Sequence, residues 1–120
     1  MPLVHVGFKE SPLRVHRSET FLMDLCNSLP KIVADALDTP ENPEARLGSK
    51  DIEVEVEPHP ILSVNKKDIE ILILAHDYPE RRKNLDERRA SIDNAVKKII
   101  PEKYHGFVWI FLGHTSFGSF

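Results

Sequence analysis

The chain has 120 residues, 41% of them hydrophobic and 29% charged, which suits one soluble domain with a single core. A formal net charge of −3 excludes the basic footprint of a general nucleic-acid binder. The single cysteine, Cys26, excludes an intrachain disulfide and fits a reducing, cytoplasmic setting.

The first residues, M-P-L-V-H-V-G-F-K-E, lack a basic start followed by an apolar run, so no secretory signal is expected. Leu3, Val4, Val6 and Phe8 mark a strand that begins almost at the first residue. A chain end held in a sheet is an ordered chain end. Residues 9–17 form a polar connection containing Pro12. From Ser18 to Leu37 the apolar positions Phe21, Leu22, Leu25, Leu29, Ile32, Val33, Ala36 and Leu37 recur at helical spacing, with Ser18 as N-cap. Pro30 interrupts the pattern. It predicts a kink near Asn27–Leu29, or a restart with Ser28 as cap. Residues 39–50, with two prolines and a glycine, read as a loop.

Ile52-Glu53-Val54-Glu55-Val56-Glu57 alternates strictly, as a strand with one apolar and one acidic face does. Pro58 and Pro60 end it, and Ile61–Val64 is read as a short strand or edge. Ile69–His76 is a continuous apolar run, suited to the middle of a sheet. Asp77–Lys83 is a charge-rich turn. Asn84 is the expected cap of a second helix, with Glu87 as capping-box partner. Leu85, Ile92, Val96, Ile99 and Ile100 supply that helix's apolar stripe, and Pro101 stops it. Phe107–Leu112 is the last long strand, before the tail G-H-T-S-F-G-S-F. None of these runs is long enough to span a bilayer.

The order is β-α-β, a linker, then β-α-β, within one domain over residues 1–120 whose halves are about 2–57 and 69–112. The fold class is α+β. Each half is a crossover unit joining parallel strands, and together they form a four-stranded mixed sheet with two helices on one face. The other face is left open. Its Glu53-Glu55-Glu57 side tolerates water, but the second face of Ile69–Leu74 does not, which predicts burial against another subunit.

Chemistry can be placed in three segments. An initiator methionine before a small second residue is commonly removed, which leaves Pro2 as a free secondary amine. An ordinary α-amino group titrates near roughly 7.7–8.0. Burial or a nearby cation lowers that value and yields a usable general base. Arg81 and Arg82, in the turn after the central strand, carry donor forks that match a carboxylate. Arg14 and Arg17 hold the equivalent place in the first half and are weaker candidates. Phe117, with Phe120, could wall an apolar pocket. Six scattered histidines and one cysteine have no zinc-ligand spacing, and no metal is expected. There is no P-loop or G-x-G-x-x-G, and Ser116 is not in a G-x-S-x-G elbow. Cys26 reads as core, His5 as core or pocket, and the Arg88-Arg89 pair as a solvated helix face.

The start M-P-L-V-H-V, the doubled β-α-β, the arginine-bearing turn after the third strand and F-V-W-I-F-L-G…S-F-G together resemble the tautomerase superfamily. Its members include 4-oxalocrotonate tautomerase, macrophage migration inhibitory factor and malonate semialdehyde decarboxylase. The resemblance implies Pro2 as the catalytic residue and Arg81 or Arg82 as the anchor of a small carboxylate-bearing substrate. It implies Phe117 in the pocket, a homotrimer with inward-facing sheets, and no cofactor. The expected function is tautomerase or isomerase proton transfer on a 2-oxo acid or enol. Its rivals are a catalytically silent oligomer or binding module, a decarboxylase- or dehalogenase-like relative, and a ferredoxin-like regulatory or RNA-binding domain. No nucleic-acid or membrane partner is expected.

Overall fold

A computed structural model describes residues 2–9, 15–116 and 118–120. Strand β1 (Leu3–Phe8) leads to helix α1 (Val15–Leu37), and two short 3₁₀ turns at Pro43–Ala45 and Ser49–Asp51 lead to β2 (Glu53–Pro58). Strand β3 (Ile69–His76), helices α2 (Pro79–Lys83) and α3 (Leu85–Lys97), and strand β4 (Gly106–Gly113) complete the chain.

The sheet order is β2-β1-β3-β4. β1 pairs with β2 in parallel, β3 with β4 in parallel, and β1 with β3 antiparallel. Each β-α-β half therefore closes on itself, and the halves join along their first strands. A ferredoxin-like split unit would separate the parallel partners with another strand. Here they are hydrogen-bonded directly, which removes that rival fold.

Strand alternation sorts the faces. Val4 and Val6 of β1, Ile69, Ile71, Ile73 and Ala75 of β3, and Val108 and Ile110 of β4 are buried beneath the helices. Leu25, Leu29, Val33 and Leu37 of α1 are fully buried against them. The opposite face runs from an acidic edge to an aromatic one. Glu53, Glu55 and Glu57 are exposed on β2, whereas Trp109 (55%), Phe111 (43%) and Phe107 (38%) are exposed on β4, with Leu74 (44%) between. Along the strand Phe107 meets Trp109 edge to face, and Trp109 lies tilted against Phe111. The open apolar face expected from β3 is thus present, and its largest side chains come from β4.

Several local expectations need correction. α1 begins three residues before Ser18 and runs unbroken through Pro30. The buried stripe of Leu25, Leu29 and Val33 straddles the proline and outweighs one missing hydrogen bond. Ile61–Val64 forms no strand: Ile61, Leu62 and Val64 are highly exposed in the loop between β2 and β3. Asn84 holds the N-cap position of α3 as expected, but its side chain makes no cap bond. Its side chain instead accepts from Arg88 Nε at 2.7 Å. The charged turn is partly helical, with Pro79 in the first turn of α2.

Candidate active site

Pro2 is buried, and its carbonyl accepts a hydrogen bond from Glu53 N at 3.2 Å. The next residue, Leu3, pairs with Glu53 of β2 and Leu74 of β3. The chain end is therefore clamped between two strands. Because β1 and β3 are antiparallel, Pro2 lies at the end of the sheet where β3 finishes. β4 finishes there too, since it parallels β3 and Asp77 N donates to Gly113 O at 3.0 Å. His76 Nδ1 and Thr115 Oγ1, 2.8 Å apart, tie the two exits together. The sheet topology thus brings the start of β1, the β3–α2 turn and the residues after β4 to one edge.

The two candidate arginines differ. Arg81 is only 2% exposed. Its Nε donates to Leu37 O at 3.0 Å, Nη1 to His76 O at 3.2 Å and Nη2 to Ala45 O at 3.1 Å. Its guanidinium also lies over the Tyr78 ring, 4.9 Å from the centroid. Desolvation lowers its pKa from the ordinary arginine value. Each nitrogen already serves a backbone carbonyl, so Arg81 joins the end of α1, the following loop and the end of β3. Arg82 is exposed and paired only at its edge, Nε donating to Asp77 Oδ1 at 3.1 Å. Its remaining donors face outward. Phe117 and Arg14 lie outside the described residues.

Arg88 was read as solvated, and that needs correction. It is buried, and its Nη1 donates to Ala36 O and Asp38 O, both at 3.1 Å. The last carbonyls of a helix lack intrahelical donors and carry partial negative charge. Arg81 and Arg88 supply cations and donors there, from α2 and α3. The sequence offered no signal for this, since a D-E-R-R run reads as surface until α1 is packed beside it. Arg89 behaves as expected and pairs with Asp93 one turn on.

His5 faces the open side, half-buried, with Nδ1 2.9 Å from Glu55 Oε1. It lines a cleft of about 360 Å³ over Gly7. A larger cleft of about 550 Å³ lies between α3 and the start of β4. Pro2 lines neither. Cys26 is partly buried, and burial raises its thiol pKa, as fits a packing role. Among the described residues no group of three or more His, Cys, Asp or Glu side chains is assembled as a metal centre.

No family model matches the chain, and no curated protein sequence matches it significantly. Solved structures do. A malonate semialdehyde decarboxylase is 14% identical, with 98% of this chain and 91% of that one covered and a TM-score of 0.59. MIF2 of Leishmania major is 13% identical, with 98% and 93% covered and a TM-score of 0.53. A fused 4-OT, solved as an asymmetric trimer, is 14% identical, with 98% and 91% covered and a TM-score of 0.52. At such identities the likeness is one of fold, and it spans nearly the whole chain. Together with the β2-β1-β3-β4 sheet and its helix-covered face, it shows that the chain has the tautomerase-superfamily fold.

Proposed function

We propose that the chain is a proton-transfer enzyme, a tautomerase or isomerase acting on a small 2-oxo acid or enol. The observation that carries this is the fixed, buried Pro2 at the sheet edge where β3 and β4 finish. With Met1 removed, Pro2 is a secondary amine in a partly desolvated place, where its neutral form is favoured. The amine takes a proton from the carbon α to the carbonyl and returns it to another atom of the same enol system. Arg82, with outward donors, pairs with the substrate carboxylate, and Phe117 walls the pocket. Arg81, engaged by three carbonyls, holds the turn that presents Arg82. No cofactor or metal takes part.

The aromatic side of the open face supports a homotrimer in which sheets bury one another, and the fused 4-OT of the same fold is a trimer. No helix among the described residues is long and apolar enough to cross a membrane. With the acidic net charge, this supports a small-molecule enzyme of the cytoplasm that has no nucleic-acid or membrane partner.

The test uses protein whose mature N-terminus has been established as Pro2 by intact mass. It should ketonise phenylenolpyruvate, and Pro2→Ala should lower the rate by about 10²–10⁴-fold, the usual contribution of a positioned base. No rate above background leaves a catalytically silent oligomer, and a rate undiminished in the variant removes Pro2 as the base. A second reading is decarboxylation of a small 3-oxo acid, supported by the malonate semialdehyde decarboxylases of this fold. There the amine acts protonated, and carbon dioxide release separates the two.

A further inference from the structure

We propose that His76 is a latch between the end of β3 and the chain after β4, and that it holds this tail at the Pro2 edge only while its ring is neutral. As a positioning residue it deepens the proton-transfer function proposed above and rests on it. The latch anchors the tail at Thr115, two residues before Phe117.

β3 runs between β1 and β4 and ends at His76, whose register partner on β4 is Gly113. One step beyond the Leu3–Leu74 pair, the antiparallel register sets Pro2 beside Ala75, the residue before His76. The ring is held on two sides. Thr115 N donates to His76 Nδ1 at 3.4 Å, and Thr115 Oγ1 lies 2.8 Å from the same nitrogen. An N–H only donates, so Nδ1 is the bare nitrogen, the hydroxyl donates to it as well, and the ring proton sits on Nε2. On its other side the Tyr78 ring meets His76 edge to face, with centroids 4.7 Å apart. Tyr78 is itself fixed, its hydroxyl donating to Glu44 O at 3.0 Å and its ring lying against the Arg81 guanidinium. Arg81 Nη1 also donates to His76 O at 3.2 Å. The buried arginine therefore steadies His76, and His76 steadies Thr115. Among the described residues no other side-chain hydrogen bond ties residues 114–116 to the strands.

Histidine is the side chain whose charge changes near neutral pH. A proton on Nδ1 makes the ring a donor at both nitrogens. The Thr115 N–H then faces another N–H and loses its acceptor, and the hydroxyl must turn round to accept. The complete latch thus belongs to the neutral ring, and it slackens as pH falls. The charged and titratable groups around the ring, among the described residues, are Asp77, Tyr78 and Arg81 on its own side, His114 after β4 and the Pro2 amine at the start of β1. Asp77 is engaged by Arg82 at 3.1 Å, so its carboxylate is not left free to hold an imidazolium. Asparagine presents a carbonyl oxygen near the place of Nδ1 and cannot take the proton, whereas glutamine reaches the place of Nε2 instead.

The experiment is NMR of the isotope-labelled full chain, titrated from about pH 8 to about pH 5, with phenylenolpyruvate kinetics beside it. The heteronuclear NOE of Thr115 and Ser116 should be high at the upper end and fall as the His76 ring gains its proton, the two changes sharing one midpoint. In His76→Asn the tail should stay ordered across the range, and in His76→Gln it should be loose throughout. Thr115→Val leaves β3 untouched and should loosen the tail too, so the test stands even if His76→Gln fails to fold. At the upper end KM should rise about 2–10-fold in His76→Gln, as the loss of one ordinary hydrogen bond allows, with part of the rise recovered in His76→Asn. An acid loss of kcat that belongs to the Pro2 amine remains in every variant, which separates the two titrations. Tail order that ignores the His76 titration, or that survives in both His76→Gln and Thr115→Val, would overturn the latch. A loosened tail with an unaltered KM would overturn its positioning role and leave the Pro2 function standing. A chain without ketonising activity would sink the Pro2 function, and the Thr115 signal would still decide the latch.

Discussion

Replacing Arg81 with methionine tests whether the arginine turn is built around a clamp. The guanidinium gives one donor each to Leu37 O, Ala45 O and His76 O, and it is almost wholly buried. A hydrogen bond from a charged group contributes about 1.5–3 kcal/mol, and an orphaned buried carbonyl costs about 1–3 kcal/mol. Three such bonds are not additive, and removing a buried charge relieves part of its desolvation. The expected net loss is about 3 kcal/mol, a large share of the roughly 5–15 kcal/mol that holds a domain folded. With a urea slope of about 1–3 kcal/mol per molar, the unfolding midpoint should fall by about 1–3 M at unchanged slope. Far-UV circular dichroism reads this directly. Arg81→Lys should recover only part of the loss, because a single ammonium cannot meet three diverging carbonyls. A loss under about 0.5 kcal/mol, the range of ordinary surface changes, would refute the clamp and return Arg81 to candidacy as substrate anchor.

Arg82→Ala should leave stability within about 0.5 kcal/mol while raising KM for an anionic substrate, measured by steady-state kinetics beside a melting curve. An unaltered KM would remove Arg82 from the site. Asp38 carries a pH prediction. The Leu47 N–H, aided by Arg46, holds its carboxyl below the ordinary carboxylate value. A depressed folded pKa stabilises above the unfolded value, about 3.9, and that stability is lost as pH falls through the folded one. Asp38→Asn should therefore be less stable near neutrality and lose less on acidification below about pH 5, as followed by thermal melts. A parallel pH profile for both proteins would contradict this. Trp109→Glu sets a carboxylate in the apolar half of the open face and should reduce the mass seen by sedimentation to that of one chain. An unchanged oligomer would mean the sheet face is not the contact.

The elements that were legible in the sequence are those decided by short-range periodicity. The alternation of Ile52–Glu57, the apolar run of Ile69–His76 and the helical stripe from Phe21 to Leu37 each announced an element and the face it would bury, because strand and helix repeats are local properties of the chain. The order of those elements, with a crossover helix in each half, already restricted the pairing to parallel partners. Pro2 could also be placed in an ordered chain end, since the strand pattern begins at Leu3.

Other features depended on contacts between distant residues. Arg81, Arg82, Arg88 and Arg89 look alike along the chain, all in charge-rich stretches beside acidic residues. Two became buried clamps because the end of α1, some 50 residues earlier, presents unpaired carbonyls to them. Asn84 keeps the N-cap position of α3, but its side chain is taken by Arg88 instead of the helix backbone. Ile61–Val64 had strand-like composition, yet these residues stay exposed in the β2–β3 connection and join no strand of the sheet. His5 and His59 stand 54 positions apart, and the β1–β2 pairing carries both to the cleft beside Gly7. Local repeats follow from the geometry of successive residues. Which charge is buried, and which two rings meet, depends on how separate segments pack, and the tertiary structure alone decides that.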